Sequence, residues 1–264
     1  MNECSVFPIQ LFNEGFKVAE AAKFLDEKIG AKEEIVIQVH HGVFHADDVA
    51  CVAMIINNFL GTVKVVRTRE DVPDADLVLD VGREDSVTGD QLKLDHHQPE
   101  ARTQMYKNGV KACALAKLME LLYVDEDDMK LNLLRKKIIW PIAANDNGQE
   151  IEGIMSNPLS WVKFYNPDDR SKSDEAFLEA VGIASKILMK IEESIAVTMA
   201  SKEIWEKGLE GLTSKGIMTL EKGMPWMEYL FSGYEDKINF LVFPHAVKGW
   251  VLRTIPTKEG GFDA

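Results

Sequence analysis

The histidines of this 264-residue chain are clustered rather than scattered. Five of the six fall into two short groups, which are His40, His41 and His45, and then His96 and His97. Imidazole is the commonest metal ligand in proteins and a proton carrier near neutral pH. Histidines in two solvated turns are the alternative interpretation, but isolated turn histidines would not bunch in this way. The two groups therefore predict a site for metal binding and proton transfer.

Carboxylates accompany both histidine groups. Asp80 lies inside the apolar run Leu-Val-Leu-Asp-Val-Gly, where a charge is costly unless it is paired or bound to a cation. The candidate set is His40, His45, Asp47, Asp80, His96, His97 and Asp146. Nitrogen and oxygen donors without thiolate favour Mn, Mg, Zn or Fe. One ion needs fewer ligands than this, so we expect two divalent cations, with some residues left to orient ligands or move protons.

Two cations held about 3.5–4 Å apart are the usual arrangement for displacement at phosphorus. Asp80 is our choice for the bridging carboxylate because it lies between the two histidine groups. We expect His97 to act as the general acid and Asp95 to orient a neighbouring imidazole. Arg67 and Arg69 follow a predicted strand and could bind phosphate oxygens, or they could be surface cations on a loop.

Strand and helix patterns alternate along the chain, and the strand, loop and helix over residues 34–60 are typical of the first half of a βαβ unit. The predicted strands are 34–39, 63–67, 77–82 and 93–97, and the predicted helices are 14–28, 49–60, 108–123 and 129–144, the last broken or kinked near Pro141. A long helix is predicted over 175–208, then strands over 216–220, 238–243 and 249–255 with a short helix at 225–231. In such folds ligands bind at the carboxyl ends of the strands, where these histidines and aspartates fall.

Composition limits the classes of function. The formal net charge of -13 argues against a broad nucleic-acid-binding face, although a short strand could still reach a metal site. No apolar run approaches the roughly 20 residues that span a bilayer, and the N-terminus does not match a secretory signal. Three widely spaced cysteines, Cys4, Cys51 and Cys113, predict reduced thiols in a cytoplasmic protein. No sequence feature argues for or against a homo-oligomer.

Five motifs in order resemble the DHH phosphoesterase superfamily: HHGVFHADD (40–48), VRTR (66–69), DVG (80–82), DHHQ (95–98) and DNG (146–148). With PWMEYLF (225–231) and FLVFP (240–244), they more closely resemble the melanocyte-proliferating-gene (Myg) family of metal-dependent hydrolases, described as 3'–5' RNA exonucleases. The resemblance runs from about residue 39 to residue 256. It implies a DHH-like fold, which is a doubly wound α/β domain with a mainly parallel sheet, followed by a long linker helix and a smaller C-terminal α/β domain. It also implies two Mn²⁺ or Mg²⁺ ions. It implies as ligands His40, His45, Asp47, Asp80, His96 and Asp146, with His97 as the catalytic histidine.

Three departures from that pattern affect the expectations. His41 replaces an asparagine, so His40 and His41 stay alternative ligands, and His41 is otherwise expected to contact substrate. Asp48 replaces a more usual glutamate. The sequence ends at Ala264, before a glycine- and histidine-containing segment of longer relatives. We therefore expect a catalytic domain over 1–207, with an N-terminal extension and the linker helix, and a truncated substrate-side domain over 208–264.

The leading functional hypothesis is a two-metal phosphoesterase, with Mn²⁺ preferred, that shortens RNA or DNA from the 3' end or cleaves nucleotide-sized phosphodiesters. One alternative is a phosphohydrolase of small anions such as pyrophosphate, which would suit the acidic surface. The other alternative is a non-catalytic relative that binds metal or a partner without turnover. The expected partners are a phosphate-ester substrate and short single-stranded nucleic acid, and no membrane.

Overall fold

A computed structural model of the chain describes residues 11–256, apart from the side chain of Lys28. Cys4 and the C-terminal residues 257–264 lie outside the described residues. The chain divides into two units, Met1–Glu192 and Glu193–Ala264. The boundary expected at 207/208 therefore falls within the second unit, because Trp205 stacks on Tyr229 at 5.5 Å between ring centroids and belongs with that unit's core.

The first unit is built on a five-stranded sheet in the order β2-β1-β3-β5-β4. Its strands are β1 (Glu34–Val39), β2 (Thr62–Arg67), β3 (Leu77–Leu79), β4 (Ser86–Val87) and β5 (Leu92–Leu94). All neighbours are parallel except β4 and β5, which are antiparallel. The short strand β4 was not among the predicted strands. The mixed α/β class with a mainly parallel sheet is confirmed.

The helices of the first unit differ in how deeply they are buried. They are α1 (Val18–Lys23), α2 (Ala46–Asn58), α3 (Ala114–Leu122), α4 (Asp128–Leu134) and α5 (Trp140–Asp146), with π-helical segments over Phe24–Ile29 and Arg135–Ile139. Every residue of α2 from Ala46 to Ile55 is buried, so the helix predicted over 49–60 is covered on all its faces along most of its length. Short 3₁₀ segments lie at Pro99–Thr103, Ser160–Tyr165 and Arg170–Lys172.

Two helix predictions need correction. α3 begins at Ala114 rather than near 108, because Gly109 adopts a positive φ of 85° and Lys111 pairs with Met105 in an isolated bridge. The helix is not interrupted at Pro141. A π-helical segment, Arg135–Ile139, lies directly before Trp140, close to where the sequence predicts the break or kink.

The predicted long helix is two helices, α6 (Ser173–Met199) and α7 (Lys202–Glu210). The hydroxyl groups of Thr198 and Ser201 donate to the carbonyls of Ser194 and Val197, a local bonding pattern that commonly bends or ends helices. The second unit continues with β6 (Ile217–Thr219), α8 (Met227–Leu230), β7 (Phe240–His245) and β8 (Gly249–Thr254). β7 is the centre of this small sheet, parallel to β6 and antiparallel to β8. Among the described residues, no helix is both long and apolar enough to cross a bilayer.

Candidate metal centre

Three neighbouring strands bring the candidate ligands together. β1, β3 and β5 are adjacent and parallel, so their carboxyl ends meet at one edge of the sheet. His40 directly follows β1, Asp80 directly follows β3, and Asp95 directly follows β5. The strand order also reverses here, since β2 lies on one side of β1 and β3 on the other. Crevices at such reversal points are the usual ligand sites of open α/β sheets.

Asp80 occupies a strained turn at this edge. Its φ of 58° lies in the left-handed region, which costs about 1–3 kcal/mol for most residues but is better tolerated by aspartate. Gly82 and Arg83 also have positive φ values, of 100° and 60°. The amide of Asp80 still donates to the carbonyl of Leu94 at 3.0 Å, so the turn begins from the ordered sheet. Backbone strain held in this way is typical of functional sites.

Three groups of side chains bring their potential ligand atoms within 4.8 Å of one another. The groups are His40, Asp48 and Asp80; Asp80, His96 and His97; and Asp47, His96 and Asp146. Asp80 belongs to two groups, and so does His96. The groups therefore form one continuous cluster rather than three separate sites.

The imidazoles of His40 and His96 lie on either side of Asp80. His40 Nε2 is 3.3 Å from Asp48 Oδ2 and 3.5 Å from Asp80 Oδ2. His96 Nε2 is 3.2 Å from Asp80 Oδ1 and 3.2 Å from Asp146 Oδ2. The two oxygens of Asp80 thus face different histidines, which is the placement that a bridging carboxylate needs.

Asp47 completes the cluster from the interior. Its carboxylate accepts hydrogen bonds from the amides of Ala114 at 3.1 Å and Leu115 at 2.8 Å, at the start of α3. The same carboxylate lies 4.0 Å from His96 Nε2. The fully buried Asp47 is therefore held by the backbone of one helix while it faces the cluster from another.

Crowded carboxylates change the acidities in this cluster. Burial raises the pKa of Asp48 to about 8, and burial with the charges of Asp47 and Asp80 raises the pKa of Asp146 to about 8. Burial opposes the charged form of His96, but Asp80 and Asp47 raise its pKa to about 9. Burial also opposes ionisation of Asp80, yet the two flanking imidazoles hold its pKa below the usual range. The pocket thus contains more carboxyl groups than its imidazoles can neutralise, so Asp48 and Asp146 hold protons near neutral pH.

The side chains of this cluster suit divalent cations. Asp48 Oδ2 and Asp80 Oδ1 are buried oxygens that accept no hydrogen bond of ordinary geometry, although imidazole nitrogens of His40 and His96 lie 3.3 Å and 3.2 Å from them. Buried polar atoms are nearly always satisfied. Cations would supply the missing partners and displace the protons that the raised pKa values describe. The donor set of imidazole nitrogens and carboxylate oxygens suits Mn, Mg, Zn or Fe.

His97 stands at the edge of the cluster with one ring nitrogen fixed. Its Nδ1 lies 2.7 Å from Asp95 Oδ1 and 3.5 Å from Asp80 Oδ1. Burial opposes ionisation of Asp95, but hydrogen bonds from His97 and from the amide of Arg83 lower its pKa. Because an ionised carboxylate only accepts, Nδ1 of His97 donates to it and Nε2 is left for other contacts. The His97 side chain is 52% exposed, so that second nitrogen can meet a substrate.

The structure places the remaining predicted residues outside the ligand groups. His45 caps the start of α2 and is exposed, with its ring centroid 6.0 Å from that of His40, and no group found among the described residues includes it. His41 is also exposed, and its carbonyl contacts His40 Nδ1 at 3.3 Å. His40 is thus the member of the His40/His41 pair that the structure brings to the cluster.

Asp48, which was not among the expected ligands, lies in a ligand group with His40 and Asp80. It lies in the first turn of α2, where Asp48 Oδ1 accepts from the amides of His45 and Val49 and Oδ2 points to His40. The sequence carried a signal for this, since two adjacent aspartates, Asp47 and Asp48, lie one residue beyond the first histidine group. Three residues along a helix bring a side chain back to the same face as its capping residue.

Arg67 is engaged elsewhere. Its guanidinium donates to the carbonyl of Gly42, the hydroxyl of Ser173 and the carboxylate of Asp174, each at 2.9 Å. It also lies 4.5 Å from the ring centroid of Phe177. These contacts explain its 2% exposure and correct the expectation that it is free to bind phosphate. Arg69 lies two residues beyond β2 on the surface, and among the candidate ligands that the structure describes none is bonded to it.

Comparison with known proteins gives a family match over most of the chain. The profile of MYG1_exonuc, described as "Uncharacterised protein family (UPF0160)", matches residues 36–264. The MYG1 protein of Chlamydia trachomatis is 27% identical over 228 residues, which cover 83% of this chain and 75% of that protein. The MYG1 protein of Schizosaccharomyces pombe is 23% identical over 271 residues, covering 86% and 80%.

Among solved structures, RecJ of Thermus thermophilus in complex with Mn²⁺ is similar, with 14% sequence identity and a TM-score of 0.34. The match covers 95% of this chain and 49% of RecJ. A TM-score of that size supports no inference about the site.

Proposed function

This chain belongs to the MYG1_exonuc family, as its resemblance to the Myg family predicts, and we propose that it is a metal-dependent hydrolase of phosphate esters. We propose further that it removes nucleotides from the 3' end of short single-stranded RNA or DNA, or cleaves diesters of nucleotide size. The main support is the position of Asp80, whose two carboxylate oxygens face two groups of candidate ligands.

We propose Mn²⁺, with Mg²⁺ as the alternative, as the cation at two adjacent positions. His40, Asp48 and Asp80 would hold one cation, and Asp47, His96 and Asp146 would hold the other, with Asp80 between them. When bound, such a pair neutralises phosphate charge and lowers the pKa of a water molecule so that it attacks phosphorus near neutral pH.

The remaining chemistry belongs to His97 and Asp95. Asp95 holds Nδ1 of His97, so Nε2 carries the proton that the leaving oxygen needs when its bond to phosphorus breaks. The ionised Asp95 also stabilises the positive charge of the ring before the transfer. Because His97 lies 3.5 Å from Asp80, this donor stands next to the proposed cation positions.

The test is an activity panel with purified protein and Mn²⁺. The substrates are an end-labelled oligoribonucleotide, bis-p-nitrophenyl phosphate and pyrophosphate. Stepwise shortening of the labelled strand from its 3' end supports the proposal, and Asp80→Asn serves as the inactive control. The net charge of -13 favours a small-anion phosphohydrolase as the second candidate, and phosphate release from pyrophosphate alone would support that function instead. No hydrolysis in any arm would contradict both.

Elemental analysis separates an enzyme from a relative that only binds partners. A protein soaked in Mn²⁺ and then desalted should retain close to two ions, and a protein that retains none cannot work by this chemistry. We also propose that the protein acts in the reducing environment of the cytoplasm, because Cys51 and Cys113 are both buried and unpaired.

A further inference from the structure

A lysine and an aspartate form an ion pair in the interior of the first unit. Lys117 on α3 is fully buried, and its Nζ donates to Asp85 at 2.8 Å and 2.7 Å. Asp85 is also buried. A buried ion pair often contributes less stability than apolar side chains of the same volume, because both charges lose their hydration. The proposed reaction uses neither residue directly.

Both backbone polar groups of Asp95 are bonded to this pair. Nζ of Lys117 donates to the carbonyl of Asp95, and Asp85 Oδ1 accepts from the amide of Asp95 at 3.2 Å. Gln98 adds a third contact, since its side-chain amide donates to the same carbonyl at 3.1 Å and to Asp85 at 3.4 Å. The main chain at Asp95 is therefore fixed from both sides by buried groups.

The side chain of Asp95 links this fixed main chain to His97 through a hydrogen bond. Its Oδ1 accepts from Nδ1 of His97 at 2.7 Å and from the amide of His96 at 2.7 Å. Its Oδ2 accepts from the amide of Arg83 at 2.6 Å. These bonds fix the side-chain rotamer of Asp95. The orientation of the His97 imidazole depends on that rotamer, because Asp95 accepts the hydrogen bond from its Nδ1.

We propose that Lys117 and Asp85 are positioning residues, which hold Asp95 and through it set the orientation and tautomer of His97. This role rests on the proposed function, in which His97 donates a proton. Displacing a reacting group by about 1 Å can lower a rate by about 100-fold. A buried charged pair that keeps His97 in place can therefore raise kcat even if it lowers the stability of the fold. The pair restricts Asp95 to one geometry in a way that apolar side chains could not.

The test is the double variant Lys117→Met with Asp85→Leu, which removes both charges together and leaves neither partner buried alone. The matched control is Arg135→Met with Glu120→Leu. Arg135 and Glu120 form another buried pair in the same unit, with contacts of 2.7 Å, and their hydrogen bonds go to Tyr106 and Asn132 rather than to Asp95. Hydrolysis of bis-p-nitrophenyl phosphate is measured with saturating Mn²⁺.

We expect the Lys117/Asp85 variant to lose about 100-fold in kcat with KM nearly unchanged. The control variant should keep a kcat near that of the wild type, whatever its thermal stability. Should the apolar pair fail to fold, Lys117→Gln with Asp85→Asn keeps amide groups near the Asp95 backbone, and about a 10-fold loss in kcat is expected, within the range of weakened general acid catalysis. A wild-type kcat in a folded variant would overturn the positioning role.

A second measurement does not depend on activity. Nitrogen-15 NMR of the ring nitrogens of His97 in metal-free protein reports which nitrogen carries the proton. In the wild type and the control variant, Nδ1 should carry it at a pH where the ring is neutral. In the Lys117/Asp85 variant, a mixture of tautomers is expected. An inactive wild type would contradict the proposed function, whereas an unchanged tautomer in the variant would contradict the positioning role alone.

Discussion

Replacing Asp80 with asparagine should remove the stabilisation that divalent cations give this protein while leaving its metal-free fold intact. Asparagine has nearly the same shape and is among the few residues that accept the φ of 58° found here. It lacks the negative charge that both groups of ligands share. In the metal-free protein, loss of that charge relieves the repulsion that helps raise the pKa of Asp146.

The size of the expected change in Tm follows from the number of cations whose binding is lost. A cation at 100 times its Kd stabilises the folded state by about 2.7 kcal/mol, so two cations contribute about 5 kcal/mol. In a unit the size of Met1–Glu192, each kcal/mol raises Tm by about 2–4 °C, which gives a total of about 10–20 °C. Asp80 belongs to both proposed positions, so Asp80→Asn should lose most of this rise.

The assay is differential scanning calorimetry with and without Mn²⁺, together with elemental analysis of bound metal. Asp76→Asn is the matched control because Asp76 precedes the strand that Asp80 follows. Asp76 accepts from the amide of Val36 at 2.8 Å and pairs with Lys32, so its loss should lower the Tm of the metal-free protein. The control should keep the full rise with Mn²⁺. The same rise in Asp80→Asn would refute a bridging role for Asp80.

Three further predictions concern the surrounding residues. His97→Ala should lower kcat by about 100-fold to 10,000-fold while the protein still retains Mn²⁺, and unchanged turnover would exclude His97 as the proton donor. Asp48→Asn should reduce the Mn²⁺ retained after desalting more than His45→Ala does, because only Asp48 lies in a ligand group, and the reverse order would restore His45 as a ligand. Arg67→Lys should lower the free energy of unfolding in urea by about 2–4 kcal/mol through lost hydrogen bonds and the contact with Phe177, with KM unchanged; a raised KM at constant stability would favour phosphate binding.

The sequence predicted the sheet edge well because strand ends are local features. The β1 prediction of 34–39 is confirmed to the residue, and the histidine and aspartates that follow each strand meet as expected. Parallel pairing of β1, β3 and β5 then requires His40, Asp80 and Asp95 to be neighbours. Thus the order of motifs along the chain was enough to predict which segments converge.

It was harder to predict which side chains of those segments face the cluster and which partners they contact. His45 and Asp48 both suit a cation, and only the geometry of the first turn of α2 directs Asp48 inward. Arg67 looked free because its partners Ser173 and Asp174 are more than 100 residues away in sequence. Lys117 lies in an apolar helix with no nearby aspartate to indicate its partner. Long-range contacts of this kind leave no local pattern.

The contacts of Arg67 have a mechanical consequence for the loop that carries His40. A single guanidinium fastens Gly42, in that loop, to Ser173, the residue that begins α6. The loop therefore depends on a segment that the chain reaches only after more than half its length. Cleavage of the backbone just before Ser173 would weaken this anchor and loosen the loop that carries His40, although the cut lies outside every residue of the metal centre.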